Sequence, residues 1–368
     1  MVTSKPFTEI DLRSLAELSG PERAFVSLYL SGPEAMGALD HRIRHVRGIL
    51  SDNAVEQEHF DRSMELIQQH FEEEPLREGS RCIFASWALD FLKAYKLTVS
   101  PRDRLWVDSS LYLRPLAELQ DEYEGFAVVA ADNSAARIFL VASNLVEDEQ
   151  RVRGGVKNHV KKGGWSQQRY ERRRDNELLH YAKEVVERLV HLAEEEPFDY
   201  LVLVGSDETM QAIEKELPQQ LAEKLVGEKP IDLDLEDDSV WRRALGLVEE
   251  AERESEEILW ERIKAEYLRG GLAVVGPEDV LGAAAVGRVE KMIVTRDAKI
   301  LGTQCRECTN LMASEVTECA YCGSEDVFTD DLVNELVELL ATSSAETEFS
   351  DPISGLSEVG DIAALLRY

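Results

Sequence analysis

RVRGGVKNHVKKGGWSQQRYERRR, residues 151–174, carries nine basic side chains (Arg151, Arg153, Lys157, Lys161, Lys162, Arg169, Arg172, Arg173 and Arg174) against the single acid Glu171. The whole chain has 41 Lys and Arg and 72 Asp and Glu, a net charge of −31, so this local +8 leaves −39 on everything else. A run of one sign is usually a solvated face. One opposite in sign to its protein, holding Gly154-Gly155 and Gly163-Gly164, is better read as a flexible loop that enters a polyanion. Upstream, Phe126–Ala131 and Ala136–Val141 are apolar, β-favouring runs around an Asp132-Asn133-Ser134 turn, which predicts a hairpin. Downstream, Leu178, Ala182, Val185, Val186, Leu189 and Ala193 mark one face of a helix running to about Glu196. Tyr200–Gly205 reads as a buried strand and 207–226 as a helix, so the middle of the chain is α/β.

Working outward, 368 residues allow two or three domains, and 44% apolar with 31% charged residues is globular composition. Disordered, collagenous and coiled-coil accounts are excluded. Ala24–Leu30 is a buried strand closed at Ser31-Gly32-Pro33, followed by two helices divided near Ser51-Asp52-Asn53 and by strands at Cys82–Ala85 and Leu105–Val107. Asp121–Gly125 and the acidic run 232–238 mark boundaries, giving an N-terminal domain 1–122, a central domain 123–236 and a C-terminal domain 237–368. In the last of these, a charged helix spans Val240–Leu268 and stops at Gly270-Gly271. A helix near Val280–Val286, a strand Lys291–Val294, a helix from Asp331 to Ala341 and a terminal apolar segment Ile362–Leu366 complete a third α/β unit.

Four of the five cysteines fall in the pattern Cys305-x2-Cys308-x10-Cys319-x2-Cys322. Two paired-thiolate turns at this spacing surround one tetrahedral ion and leave no position for water, which points to structural zinc in a ribbon spanning 301–328 rather than catalytic metal. Cys82 is a small core residue. The N-terminus lacks an apolar leader and no window approaches 18 consecutive apolar residues, so a soluble, cytoplasmic protein without membrane contact is expected. His159 lies in the basic segment without a Ser or Cys partner at a telling spacing and fits phosphate or base contact. The other six histidines are scattered on helical stretches. Neither Gly154-Gly155 nor Gly270-Gly271 continues as a phosphate loop.

The run Lys161-Lys162-Gly163-Gly164-Trp165-Ser166-Gln167-Gln168-Arg169-Tyr170, with Arg172–Arg174 leading into an amphipathic helix, resembles the central-domain loop of the archaeal and eukaryotic class 1 peptide chain release factors. That pattern is a basic approach, Gly-Gly-Gln-Ser, an aromatic preceded by Arg, further Arg and a long helix. The hairpin before it, Tyr200–Gly205 after it, Gly271–Gly276 through Glu290–Val294, the cysteine ribbon and Gly360–Tyr368 are similar to the same superfamily, which includes Pelota. The resemblance covers roughly 126–368 well and the N-terminal domain in outline. It is closest to the bacterial branch, which includes release-factor paralogues and ribosome hibernation factors similar to Balon. It implies a three-domain α/β architecture with the zinc ribbon inserted in the C-terminal domain.

Two departures bear on function. Where release factors carry Gly-Gly-Gln, whose amide helps place the attacking water, this chain has Gly163-Gly164-Trp165; indole offers one N–H donor and no acceptor. Gln167 or Gln168 would substitute only with a shift of the loop by two or three residues. Trp165 is suited instead to stacking on a base. In residues 1–122 neither the Asn-Ile-Lys-Ser-type loop nor the Tyr-x-Cys-type strand of codon reading is found. The resemblance therefore implies a monomeric, tRNA-mimicking occupant of the ribosomal A site, directed at rRNA and the acceptor end of the P-site tRNA. Its role would be hibernation or a stalling response without peptide release, with a translational GTPase such as EF-Tu as delivery partner. Two rivals stand beside it: a peptidyl-tRNA hydrolase, rescue factor or tRNA-cleaving relative, and an RNA-independent interaction protein.

Overall fold

The computed structural model describes residues 10–21, 23–97, 99–122, 125–142, 145–153, 165–231 and 240–368. No helix among them is long and apolar enough to cross a membrane. They gather into two compact units, one within residues 123–255 and the other formed by 5–122 together with 256–368.

The first unit is built on a five-stranded sheet in the order Leu145–Arg153, Ala135–Ala142, Phe126–Ala131, Tyr200–Gly205, Leu225–Pro230. The pairs on the hairpin side are antiparallel and the two involving Tyr200–Gly205 are parallel. Phe126–Ala131 is apolar at every position because both faces are covered. Ala127, Val129 and Ala131 meet Leu178, Ala182, Val185 and Leu189 of the helix Trp165–Glu195. Phe126, Val128 and Ala130 meet Val240, Trp241, Ala244 and Val248.

Two sequence expectations need correction here. The segment 151–174 is not all loop: Arg151 and Arg153 end the strand Leu145–Arg153, while Trp165, Gln167, Gln168, Arg169 and Arg172–Arg174 lie in the helix that begins at Trp165. That strand, LVEDEQRVR, is a sheet edge, and charged residues there discourage pairing with other chains while making the sequence read as loop. The single helix expected over 207–226 is instead Asp207–Glu216 and Gln219–Ala222, followed by the edge strand Leu225–Pro230. Pro218 forces the break, since it holds Leu217 in extended backbone (φ −61°, ψ 130°).

In the second unit, Phe91–Leu97, Ser80–Ser86, Phe25–Leu30 and Arg104–Asp108 form an antiparallel sheet in that order. Helices Met36–Ile49 and Ala54–Glu73 cover one face, packing Leu39, Phe60, Met64 and Ile67 on Val26, Leu28 and Ile83. Asn53 separates them as expected, its Oδ1 accepting from Val55 N (3.1 Å) and Glu56 N (3.3 Å). A second sheet runs Ala273–Val275, Ile362–Leu366, Val289–Thr295, Glu346–Ser350, and a third, Leu311–Met312, Leu301–Cys305, Val327–Asp331, carries the cysteines.

These parts lock through a buried polar seam. Asp331 caps the helix Leu332–Ser343, accepting from Val333 N (3.1 Å), and also accepts from Tyr112 Oη (2.8 Å) and Arg114 Nη1 (3.2 Å). Asn334 Oδ1 takes Leu113 N (2.7 Å) and Arg114 N (3.1 Å), the opening of the helix Arg114–Glu122. Each bond satisfies a buried group that would otherwise be costly to hold away from water.

Candidate nucleic-acid interface and metal centre

The basic segment is presented by two rigid elements, the edge strand ending at Arg153 and the 31-residue helix beginning at Trp165, about 46 Å long at ~1.5 Å per residue. The strand end is braced from beneath by Arg137, which is 2% exposed. Its guanidinium forks Glu149 (Nε to Oε1 2.9 Å, Nη2 to Oε2 2.8 Å) and lies 4.6 Å from the Phe139 ring centroid. Arg151, opposite Arg137 in the register, donates Nε to Glu149 Oε1 at 2.6 Å. Hydrogen bonds from Arg137, and secondarily from Arg151, hold the Glu149 carboxyl below the usual carboxylate range.

On the helix, Arg173 pairs with Glu177 at 3.0 Å and Arg174 with Glu208. The sequence count of +8 therefore overstates the uncompensated charge. Among the described residues Arg153 and Arg172 are the exposed members of the segment with no acidic partner. The exposed pairs of Arg151 and Arg173 are weak in water and exchangeable for phosphate. Lys157, His159, Lys161, Lys162, Gly163 and Gly164 lie outside the described residues, as do the side chains of Trp165, Gln167, Gln168 and Arg169. The described backbone places Trp165 at the N-terminus of the long helix, and free backbone N–H groups and the dipole at a helix N-terminus favour anionic groups.

The four cysteines come together as the spacing predicts. The Sγ atoms of Cys305, Cys308, Cys319 and Cys322 all lie within 4.8 Å of one another, with Cys305–Cys322 at 3.6 Å and Cys308–Cys319 at 3.5 Å. A tetrahedron with Zn–S near ~2.3 Å has edges of about 3.8 Å, so the donor set and its spacing fit such an ion.

The two turns are built alike. Thr309 N donates to Cys305 O (3.0 Å) and Gly323 N to Cys319 O (2.9 Å), while Cys305 N and Cys319 N donate to Asn310 O (3.1 Å) and Ser324 O (2.8 Å). The residue after the second cysteine of each pair, Thr309 (φ +58°) or Gly323 (φ +73°), takes the left-handed conformation that closes the turn. Asn310 Nδ2 (3.2 Å) donates to Cys308 Sγ and Tyr321 N (3.4 Å) to Cys319 Sγ, the outer-shell bonds that orient thiolate ligands. Cys82 is fully buried in its strand, and burial pushes its thiol up, as suits a core residue.

Sequence reasoning missed the acids that answer the basic segment. Glu149 would have been found had Leu145–Arg153 been read as a strand paired with Ala135–Ala142; Glu208, 34 residues beyond Arg174, left no local signal.

Residues 112–252 match the bacterial archaeo-eukaryotic release factor family 10. Peptide chain release factor subunit 1 of Methanopyrus kandleri is 29% identical over 233 residues, which are 60% of this chain and about half (52%) of that protein. The factor of Methanocaldococcus jannaschii is 24% identical over 406 aligned positions, covering 97% of this chain and 96% of its own. Among solved structures, the archaeal termination factor aRF1 aligns over 97% of this chain and 96% of its own at 15% identity and a TM-score of 0.26. Dom34 of S. cerevisiae aligns over 78% of this chain and 80% of its own at 11% identity and a TM-score of 0.45. With the family match across the central unit and a relative aligned almost end to end, the chain is a release-factor-like member of the archaeo-eukaryotic release-factor superfamily.

Proposed function

We propose that the protein binds the ribosomal A site and occupies it without releasing the nascent peptide, as in hibernation or a stalling response. Residues 151–174 would be directed toward rRNA and the acceptor end of the P-site tRNA. The observation that carries this reading is the tripeptide Gly163-Gly164-Trp165 at the head of the helix Trp165–Glu195. The superfamily's peptide-releasing members have glutamine at the third position. Indole cannot accept a hydrogen bond from a water, whereas its face can stack on an unpaired base for ~1–3 kcal/mol. Arg153 and Arg172, free of acidic partners, are suited to phosphate.

The same reading assigns a structural zinc ion to the four cysteines, a translational GTPase such as EF-Tu as delivery partner, and a division into domains 1–122, 123–236 and 237–368.

Binding to, and peptide release from, stalled ribosomes test the proposal with the wild type, Trp165→Ala and Trp165→Gln. Wild-type release at background is expected. Trp165→Ala should weaken binding by the worth of one stack, roughly a factor of 5–150 for ~1–3 kcal/mol. Gain of release in Trp165→Gln would indicate a scaffold still poised for hydrolysis. Substantial release by the wild type overturns occupation in favour of the hydrolase reading, and Gln167→Ala and Gln168→Ala then identify the residue responsible.

A further inference from the structure

Between the first two ligand cysteines stands Arg306, whose side chain lies along the ribbon and reaches beyond it. It reaches Glu56, 250 residues earlier in the chain, where Arg306 Nη1 donates to Glu56 Oε1. Glu56 sits in the first turn of the helix Ala54–Glu73 and its side chain is 3% exposed. Its other oxygen faces Arg23 Nη1 at 3.7 Å. Both guanidiniums rest on one ring, Arg23 at 4.8 Å and Arg306 at 5.0 Å from the Phe328 centroid, and Phe328 belongs to the ribbon strand Val327–Asp331. Arg306 is aimed by its own turn: its N donates to Asp326 O (3.0 Å) and its Nε lies 3.2 Å from Asp326 Oδ1.

The ribbon has little else to hold this geometry. Its strands are five, two and five residues long. Its apolar cluster is Cys305, Met312 and Cys319, with Cys308 and Val327 at the margin, so three of its five members are ligands. A core that small does not sustain a fold without a cross-link, and both short S···S contacts, Cys305–Cys322 and Cys308–Cys319, run from one turn to the other. A metal bound by these thiolates would brace the Cys305–Cys308 turn beyond its backbone hydrogen bonds, and that turn positions Arg306.

We propose that the cysteine centre works as a latch on the N-terminal helices. With metal bound, Arg306 holds Glu56 at the head of Ala54–Glu73. Loss of the metal releases Glu56 as a buried carboxylate with only Arg23 beside it and loosens that helix. The inference rests on the four cysteines being a metal centre. It gives the ribbon a task beyond stiffening its own segment: the state of the thiolates would set the order of a surface carried by residues 36–73.

Hydrogen exchange on the full chain tests it, comparing protein as purified, protein stripped by a mercurial and chelator, and metal-loaded Arg306→Ala, with metal content measured in each. Stripping should speed exchange by roughly tenfold or more not only in 301–331 but also in 54–60. Arg306→Ala should keep its metal and reproduce the change in 54–60 alone; if it does not fold, Arg306→Lys, which keeps the charge and loses the fork, replaces it. Because coupling is reciprocal, Glu56→Gln should hasten metal transfer to a chromogenic chelator by about 10-fold, the scale of an outer-shell loss. Exchange that rises only within 301–331 on stripping, or an unchanged 54–60 in Arg306→Ala, would overturn the latch. Protein that carries no metal and takes none up would overturn the metal reading and the latch with it, and elemental analysis tells that failure from the first.

Discussion

Asp330 should make the second unit lose stability as the pH rises, the reverse of ordinary acid denaturation. The residue is 3% exposed at the end of the ribbon strand Val327–Asp331. Its Oδ1 accepts Asp331 N at 2.7 Å, while its Oδ2 is buried with no partner. Burial first, and then the carboxylates of Asp108 and Glu335, push it up to about 9. A folded value above the unfolded one (~3.9) means the folded chain keeps a proton that the unfolded chain has released. The contribution is fully present below about pH 4 and is lost as the pH climbs through about 9. Over the range between, one retained proton removes ~1.4 kcal/mol per pH unit, or about 3 kcal/mol from pH 6 to pH 8. Asp330→Asn keeps the acceptor for Asp331 N, fills the same space and does not titrate. Urea denaturation at pH 6, 7 and 8 should give a falling stability for the wild type and a slope shallower by about that amount for the variant. Equal slopes, or a wild type that gains stability toward pH 8, would refute the assignment of a neutral acid at this position.

Arg172→Gln should lower the slope of log affinity against log salt for ribosome binding by about one, as expected for one lost phosphate contact. Arg173→Gln, whose guanidinium is shared with Glu177 at 3.0 Å, should lower it less; equal effects would show that the intramolecular pair does not survive binding. Leu189, fully buried where the long helix meets the sheet, should lose ~2–5 kcal/mol of stability as Leu189→Ala, measured by denaturant unfolding. A loss below ~1 kcal/mol would mean the helix is not anchored there.

What could be read from the sequence followed from how local each signal is. Phe126–Ala131 and Tyr200–Gly205 were legible because both faces of each strand are covered, so every residue is apolar or small. The cysteine centre was legible because each pair of ligands shares one turn. Leu145–Arg153, Phe91–Leu97 and Leu225–Pro230 were missed for one reason: each is the edge of its sheet, and an edge strand half open to water carries the charges of a loop. Asp108, Asp330 and Glu338 were missed for another. In a chain with 72 acids nothing local sets apart those pressed together at the seam, where burial pushes Glu338 up to about 8.

Arg306 shows where such reading ends, because residue type and position assigned it to a metal-binding turn and nothing more. Its bond to Glu56 depends on a ribbon and a helix pair closing on each other across 250 residues. The same holds at Trp165, where the sequence gives the side chain and the structure gives its place at the head of a helix. The chemistry that follows depends on what the helix is brought against. The two proposals therefore share one physical feature: each rests on one residue at a turn or helix end, Arg306 in the Cys305–Cys308 turn and Trp165 at the start of the long helix. A substitution at Arg306 should consequently act on the helix head it holds while leaving the cores intact, because among the described residues Arg306 belongs to none of the buried apolar clusters.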